Sequence, residues 1–124
     1  MSLFELKDFT MHSGGTGKYK IECDTLTEDD WETLAYIVSE KLQFRKVVGI
    51  PTGGETFAKA LRKYEKEDSD VILIADDVLT TGRSMEGKRV SILLANYDCA
   101  VVGVVAFARG ECPYWVKPIF QMWD

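Results

Sequence analysis

The chain has 124 residues, 46% hydrophobic and 28% charged, which allows one domain with a proper core and excludes two ordinary ones. Fifteen Lys and Arg against twenty Asp and Glu leave a formal charge of −5, which excludes general electrostatic attraction to nucleic acid or to an anionic membrane. Cys23, Cys99 and Cys112 are widely spaced and form no CxxC pair, and His12 is the only histidine. Neither a zinc knuckle nor a redox motif is supported, and the thiols read as reduced cysteines of a cytoplasmic protein.

In chain order, Met1–Leu6 is too acidic and too short in apolar run for a signal peptide, and no stretch approaches the ~20 apolar residues of a spanning helix. The segment Thr10–Gly17 is turn-rich. Lys18–Cys23 alternates polar and apolar residues and predicts a half-exposed strand. Thr27 predicts an N-cap, with Glu28, Asp29 and Asp30 in the first turn, where the helix dipole favours acids. Trp31, Leu34, Ala35, Val38 and Leu42 recur at helical spacing, so a helix is expected over Glu28–Leu42. Val47–Ile50 is a short apolar run that ends in Pro51-Thr52-Gly53-Gly54, and Glu55–Tyr64 reads as a helix. Val71–Ala75 is a second apolar run, ending in Asp76-Asp77, with a polar loop over Asp76–Ser84 and a helix through Ile92–Ala95. Ala100–Phe107 is a third, and Ile119–Met122 a candidate last strand. Short strands that are apolar throughout lie buried in a parallel sheet between helices. Three β–loop–α steps predict a single α/β doubly wound domain over residues 1–124, with a mostly parallel central sheet flanked by helices.

Ligands of such sheets sit beyond the carboxyl ends of the strands, where both unusual loops are expected. Two adjacent acids after a buried strand need a partner: hydroxyls, a cation, or both. Thr80-Thr81-Gly82-Arg83-Ser84 brings N–H groups, hydroxyls and a flexible glycine to a helix start, a cradle for a phosphate monoester. Acids for a diol beside donors for a phosphate describe a ribose 5-phosphate site. Gly53 and Gly54 let the backbone approach a bulky anion, Thr52 adds a hydroxyl, and a strained peptide here would aim N–H groups at a diphosphate; an ordinary tight turn fits those residues equally.

The run VILIADDVLTTGRS (Val71–Ser84) resembles the phosphoribosyl-diphosphate signature of the type I phosphoribosyltransferases, and VVGIPTGGETFAKAL resembles their diphosphate loop and following helix. Phe9-Thr10-Met11-His12-Ser13-Gly14 is similar to the opening of the orotate enzymes of that family. The resemblance implies that Asp76 and Asp77, the catalytic pair, hold the ribose hydroxyls and help organise Mg²⁺, mostly through the ligand's own oxygens. It implies that Thr80, Thr81, Gly82, Arg83 and Ser84, led in by Val78 and Leu79, bind the 5-phosphate, and that Thr52, Gly53 and Gly54 hold the diphosphate. His12 and Ser13 fall where the family contacts the base. Arg109 falls where orotate enzymes place an arginine near the substrate carboxylate; a surface arginine after a strand is the other reading. The implied activity is glycosyl transfer: a phosphoribosyl group moves to a nitrogenous base such as orotate, in pyrimidine nucleotide synthesis or salvage. No nucleophilic side chain is required for it.

One departure stands out. Family members insert a strand and a long hood, rich in Lys, Arg and His, between the two motifs; here only Leu61–Asp70, LRKYEKEDSD, separates them. A non-catalytic module that binds a nucleotide or phosphoribosyl diphosphate is therefore the alternative to the enzyme. Arg83 also stands where the family has a small residue, able to add a phosphate contact or to crowd the site. A signalling receiver shares the acid pair but places it after its first strand. The absence of GxGxxG and GxxxxGK[ST] excludes dinucleotide-binding and P-loop sites. The aromatic tail Tyr114–Trp123 suits either a homodimer face or a strand packed on its own core.

Overall fold

The computed structural model describes residues 21–95 and 98–122, with the backbone alone at 4–5, 9–10, 16–17 and 20. Four two-residue strands come first: β1 (Phe4–Glu5), β2 (Phe9–Thr10), β3 (Thr16–Gly17) and β4 (Lys20–Ile21). They pair antiparallel, β1 with β4 and β2 with β3. Of the strand predicted over Lys18–Cys23, Lys20–Ile21 is strand, and Cys23–Thr25 is a 3₁₀ turn instead.

Helix α1 (Glu28–Lys41) starts where its cap predicts. Thr27 Oγ accepts from Asp30 N–H at 3.1 Å, and the Asp30 carboxylate accepts from Thr27 N–H at 2.8 Å. This reciprocal box satisfies two of the donors that a helix start leaves open. Trp31, Leu34, Ala35 and Val38 form its buried face. Then follow β5 (Lys46–Gly49), α2 (Gly53–Leu61) with a 3₁₀ turn at Arg62–Tyr64, β6 (Val71–Leu79), α3 (Arg83–Ala95), β7 (Ala100–Ala108) and β8 (Val116–Gln121).

The four long strands form one parallel sheet in the order β5-β6-β7-β8. On one face Leu73, Ala75, Val104 and Ala106 meet Phe57, Ala58 and Leu61 of α2 and Trp31 and Leu34 of α1. On the other, Ile74, Val105 and Val116 meet Met85 of α3 and Trp115. Helices therefore cover both faces, as the continuous apolar runs predict.

Three details differ from the expectation. First, β6 does not stop at Ala75. Asp76 lies opposite Val105, Val78 opposite Phe107 and Leu79 opposite Ala108. The apolar β7 extends far enough to give Asp76, Val78 and Leu79 ladder partners, which outweighs the turn-forming tendency of the acids. Second, α2 begins at Gly53, two residues before the predicted start. Third, the step from β7 to β8 contains no helix. Residues 109–115 run back along the sheet, so that Val116 pairs with Gly103 and Gln121 with Ala108. Seven extended residues reach about 23 Å, which exceeds the roughly 17 Å return past five ladder positions. Trp115 covers the face that a helix would have covered: its carbonyl accepts from Gly103 N–H at 2.9 Å, and a side chain at Gly103 would meet Met85 and the Trp115 ring. The tail thus includes a strand packed on its own core, while Tyr114 and Phe120 stay exposed.

The connection between α2 and β6 shapes the topology. The strand order advances one way from β5 to β7, yet α2 and α3 lie on opposite faces. One of these two crossovers is therefore left-handed, against a strong general preference for right-handed ones. A further strand outside β5, entered from α2, would make both right-handed. That is where the resemblance expects the strand and hood, and residues 62–70 provide neither. Instead they guard the bare edge: Val47 N–H donates to Glu65 Oε2 at 2.8 Å, not to a neighbouring strand, which blunts an edge open to mispairing.

Candidate functional site

Because β5 and β6 are parallel neighbours, the turn after β5 and the turn after β6 open at the same sheet edge. Ile50 N–H donates to Ala75 O at 2.9 Å, and Gly54 N–H to Ile50 O at 2.9 Å. This fixes the Ile50–Thr52 turn against the end of β6. The Pro51–Thr52 peptide is cis. Thr52 is exposed, and its hydroxyl makes no cap bond. The two glycines are required by close approach. A methyl at Gly53 would collide with the Asp77 carboxylate, and one at Gly54 with the Ala75 carbonyl. Their first effect is to seat the start of α2 directly on the acid pair.

Asp76 and Asp77 are half-buried. Asp76 Oδ1 accepts from Asp77 N–H, and Asp77 Oδ1 from Val78 N–H, both at 2.8 Å. Burial, then a hydrogen bond to the Asp77 side chain and the Asp77 charge, push the Asp76 carboxyl up to about 8. Asp76 therefore keeps its proton to a higher pH than an ordinary aspartate. Asp77 also lines a cavity of about 490 Å³ on the α1/α2 face, with Cys23, Glu28, Trp31, Gly53 and Lys59. Burial, followed by the charges of Asp77 and other nearby acids, pushes the Cys23 thiol up to about 12, so it remains a thiol.

Beyond β6, Thr80 and Thr81 are exposed, and Gly82 adopts φ +80°, a conformation that favours glycine. Glu86 N–H closes the first helical bond onto Gly82 O at 2.9 Å. Thr80, Thr81 and Ser84 thus stand open at the start of α3, beside the acid pair.

No family model matches the sequence, and no curated protein does. Among solved structures, orotate phosphoribosyltransferase from Aeropyrum pernix matches with a TM-score of 0.71 at 21% identity, over 96% of this chain and 88% of that one. The enzyme of the same name from Francisella tularensis matches at 0.63 and 15%, over 96% and 80%. A hypothetical protein from Neisseria gonorrhoeae with bound ppGpp matches at 0.53 and 14%, over 80% and 82%. The chain has the type I phosphoribosyltransferase fold.

Within that fold, Asp76 and Asp77, the Thr52–Gly54 turn and the Thr80–Ser84 segment come together at one sheet edge. Other expected residues do not. Leu79 is 2% exposed and belongs to the core, and the Val78 side chain packs against the core from the other face. Arg109 is 7% exposed, which overturns its reading as a surface residue; its N–H ties β7 to Leu79 O at 3.0 Å, and it lines neither the acid-walled cavity nor the one beside α3. His12 and Ser13 lie outside the described residues. Arg83 is exposed on the flank of α3 and does not fill the cradle. Sequence reasoning missed Cys23, Lys59 and Lys88, which line cavities next to the site. Helical spacing from Ser84 could have found Lys88, four residues on.

Proposed function

We propose that the protein binds phosphoribosyl diphosphate at the carboxyl edge of β5 and β6 and transfers its phosphoribosyl group to a nitrogenous base such as orotate. The supporting observation is the seating of Gly53 on the Asp77 carboxylate, which joins the diphosphate loop and the diol-binding acids into one site next to the phosphate cradle. In this reading Asp76 and Asp77 accept the ribose hydroxyls, Thr80, Thr81, Gly82 and Ser84 hold the 5-phosphate, and Thr52, Gly53 and Gly54 hold the diphosphate. The sugar C1–O bond breaks, its electron pair leaves with the diphosphate, and a base nitrogen forms the new bond to C1. The chain's contribution is positioning and stabilisation of the charge on the leaving group.

Mg²⁺ fits this donor set in a limited way. Two carboxyls, one of them raised above the ordinary carboxylate range, are too few to cage a hard divalent ion that prefers six oxygens. They suit an ion that arrives on the diphosphate, where it supplies neutralising charge. We further place the protein in the cytoplasm, acting on small molecules and not on nucleic acid or membrane, as a homodimer through the exposed Tyr114 and Phe120. Among the described residues no helix is long and apolar enough to cross a membrane.

A second reading, a non-catalytic module for phosphoribosyl diphosphate or a nucleotide, is favoured by the short 62–70 connection, which leaves no hood to exclude water. Phosphorus NMR of the protein with phosphoribosyl diphosphate, Mg²⁺ and orotate separates the two. Diphosphate release that requires the base supports the enzyme. Binding with no release over hours supports the module.

A further inference from the structure

The helices that cover the sheet are not packed alike. Helix α1 buries Trp31, Leu34, Ala35 and Val38, and α2 buries Gly54, Phe57, Ala58, Ala60 and Leu61. In 13 residues α3 buries only Met85, with Ile92 packed against the same core and Arg89 set over the Trp115 ring. Met85, Arg89 and Ile92 follow i, i+4, i+7 spacing and mark the face turned to the sheet. On the opposite face Arg83, Gly87, Val90 and Leu94 follow i, i+4, i+7, i+11 spacing. All four are exposed, Leu94 by 81%. The outer face of a helix is ordinarily polar; here its last three positions are Gly, Val and Leu. Gly87 weakens the helix, and packing within the chain does not require it, because a Cβ there would meet nothing within 4 Å.

This stripe is its own match. Its spacing of four, three and four residues reads the same in either direction. Under a two-fold axis between Gly87 and Val90, two antiparallel copies of α3 bring each Gly87 to the partner's Val90 and each Arg83 to the partner's Leu94. That self-complementarity is what a symmetric contact requires, and the glycine is the gap that admits the valine. Charge selects the same orientation. Arg83 stands in the first turn of its own helix, the end at which a cation is disfavoured, and the last turn of α3 has no basic residue, whereas α1 and α2 end on Lys41 and Lys59. The open carbonyls of a helix end attract a cation, and antiparallel pairing supplies one from the partner's Arg83. The sheet edges suit a partner less: on β5 the Val47 N–H is taken by Glu65, and β8 carries Pro118, which has no N–H to give.

We propose that the protein dimerises through α3, packed antiparallel against α3 of a second copy. This rests on the homodimer of the preceding reading for the number of copies and moves its centre to the helix. Tyr114, whose hydroxyl accepts from Arg89 Nη2 at 3.3 Å, lies at the rim. Phe120 stacks on Phe107 and lines a groove with Leu34 of α1, on the other face of the sheet, and takes no part. Because Arg83 belongs to the Thr80–Ser84 segment, the dimer ties that segment to the partner's last helical turn. The seam spans about 17 Å of helix, short for a stable interface, so the dimer is expected in the micromolar range.

Sedimentation velocity of the full chain over a concentration series tests this, with circular dichroism melts to confirm that each variant is folded. The wild type is expected to pass from monomer to dimer. Leu94→Glu, at a position already open to solvent, is expected to keep the fold and to weaken the dimer at least about tenfold. Arg83→Glu is expected to weaken it about threefold while raising the melting temperature of the monomer, since an acid suits the start of its own helix; that pairing of effects cannot come from unfolding. Phe120→Ala is expected to leave dimer affinity within about twofold of the wild type. A wild type that stays monomeric overturns the homodimer altogether. A dimer that survives Leu94→Glu and Arg83→Glu unchanged, or one that Phe120→Ala alone dissociates, overturns the α3 interface and leaves the homodimer standing on another face.

Discussion

The turn after β5 divides two unlike surfaces. On its α1/α2 side lies a cavity walled by Asp24, Glu28, Glu32 and Asp77 against Lys59. On its α3 side lie Arg83 and Lys88 with two serines and no acid. The first wall is mostly acidic and the second is cationic. A chain with a net charge of −5 can still carry a locally cationic surface, since Arg83 and Lys88 line one side of this turn while Lys59 stands among acids on the other. The composition alone excludes general attraction to anions but is silent on this local sorting.

That contrast can be broken from either side. The largest effect is expected on the acid side: Asp76→Asn with Asp77→Asn should weaken phosphoribosyl diphosphate binding by ~100-fold, read by calorimetry. Gly53→Ala comes next. Its methyl would meet the Asp77 carboxylate, so a loss of roughly 1–3 kcal/mol of stability should accompany lost ligand affinity, seen as a lower urea midpoint.

A pH titration sharpens the contrast further. The Asp76 carboxyl lies at an ordinary 3.8 when unfolded and is pushed up to about 8 when folded. Between these values the folded state binds the extra proton, so stability falls as pH rises from about 4 to about 8 and levels off above. Asp76→Asn should flatten that slope, and urea midpoints at pH 5 and pH 8 check it. Smallest is Glu65→Ala, at a residue that lines neither cavity. It leaves Val47 N–H without the 2.8 Å bond and should cost about 1–2 kcal/mol, with ligand affinity untouched.

Much of this was legible in the sequence because the signals were local. The Thr27 cap, the periodic face of α1 and the three buried runs each describe neighbours a few residues apart. The meeting of the two loops was legible as well, since parallel strands place their carboxyl ends together. Less legible was whatever depended on a partner distant in sequence. The extension of β6 through Asp76–Leu79 needs β7 as its ladder. The burial of Arg109 needs the end of β6 beside it. The helix-free return over 109–115 reads as an ordinary loop until Trp115 is seen filling the place of a helix. Gly53 and Gly54 were read as room for an anion, whereas the nearer constraint is the strand end against which they pack. The short 62–70 segment was visible by length alone; its consequence, a crossover of the rare hand and an edge capped by Glu65, was not.

The most direct measurement is calorimetric titration of the wild type and of the Asp76→Asn, Asp77→Asn variant with phosphoribosyl diphosphate and Mg²⁺. Saturable binding by the wild type that the double substitution removes is the expected result. No binding by the wild type, or equal affinity in the variant, contradicts a phosphoribosyl diphosphate site at the ends of β5 and β6.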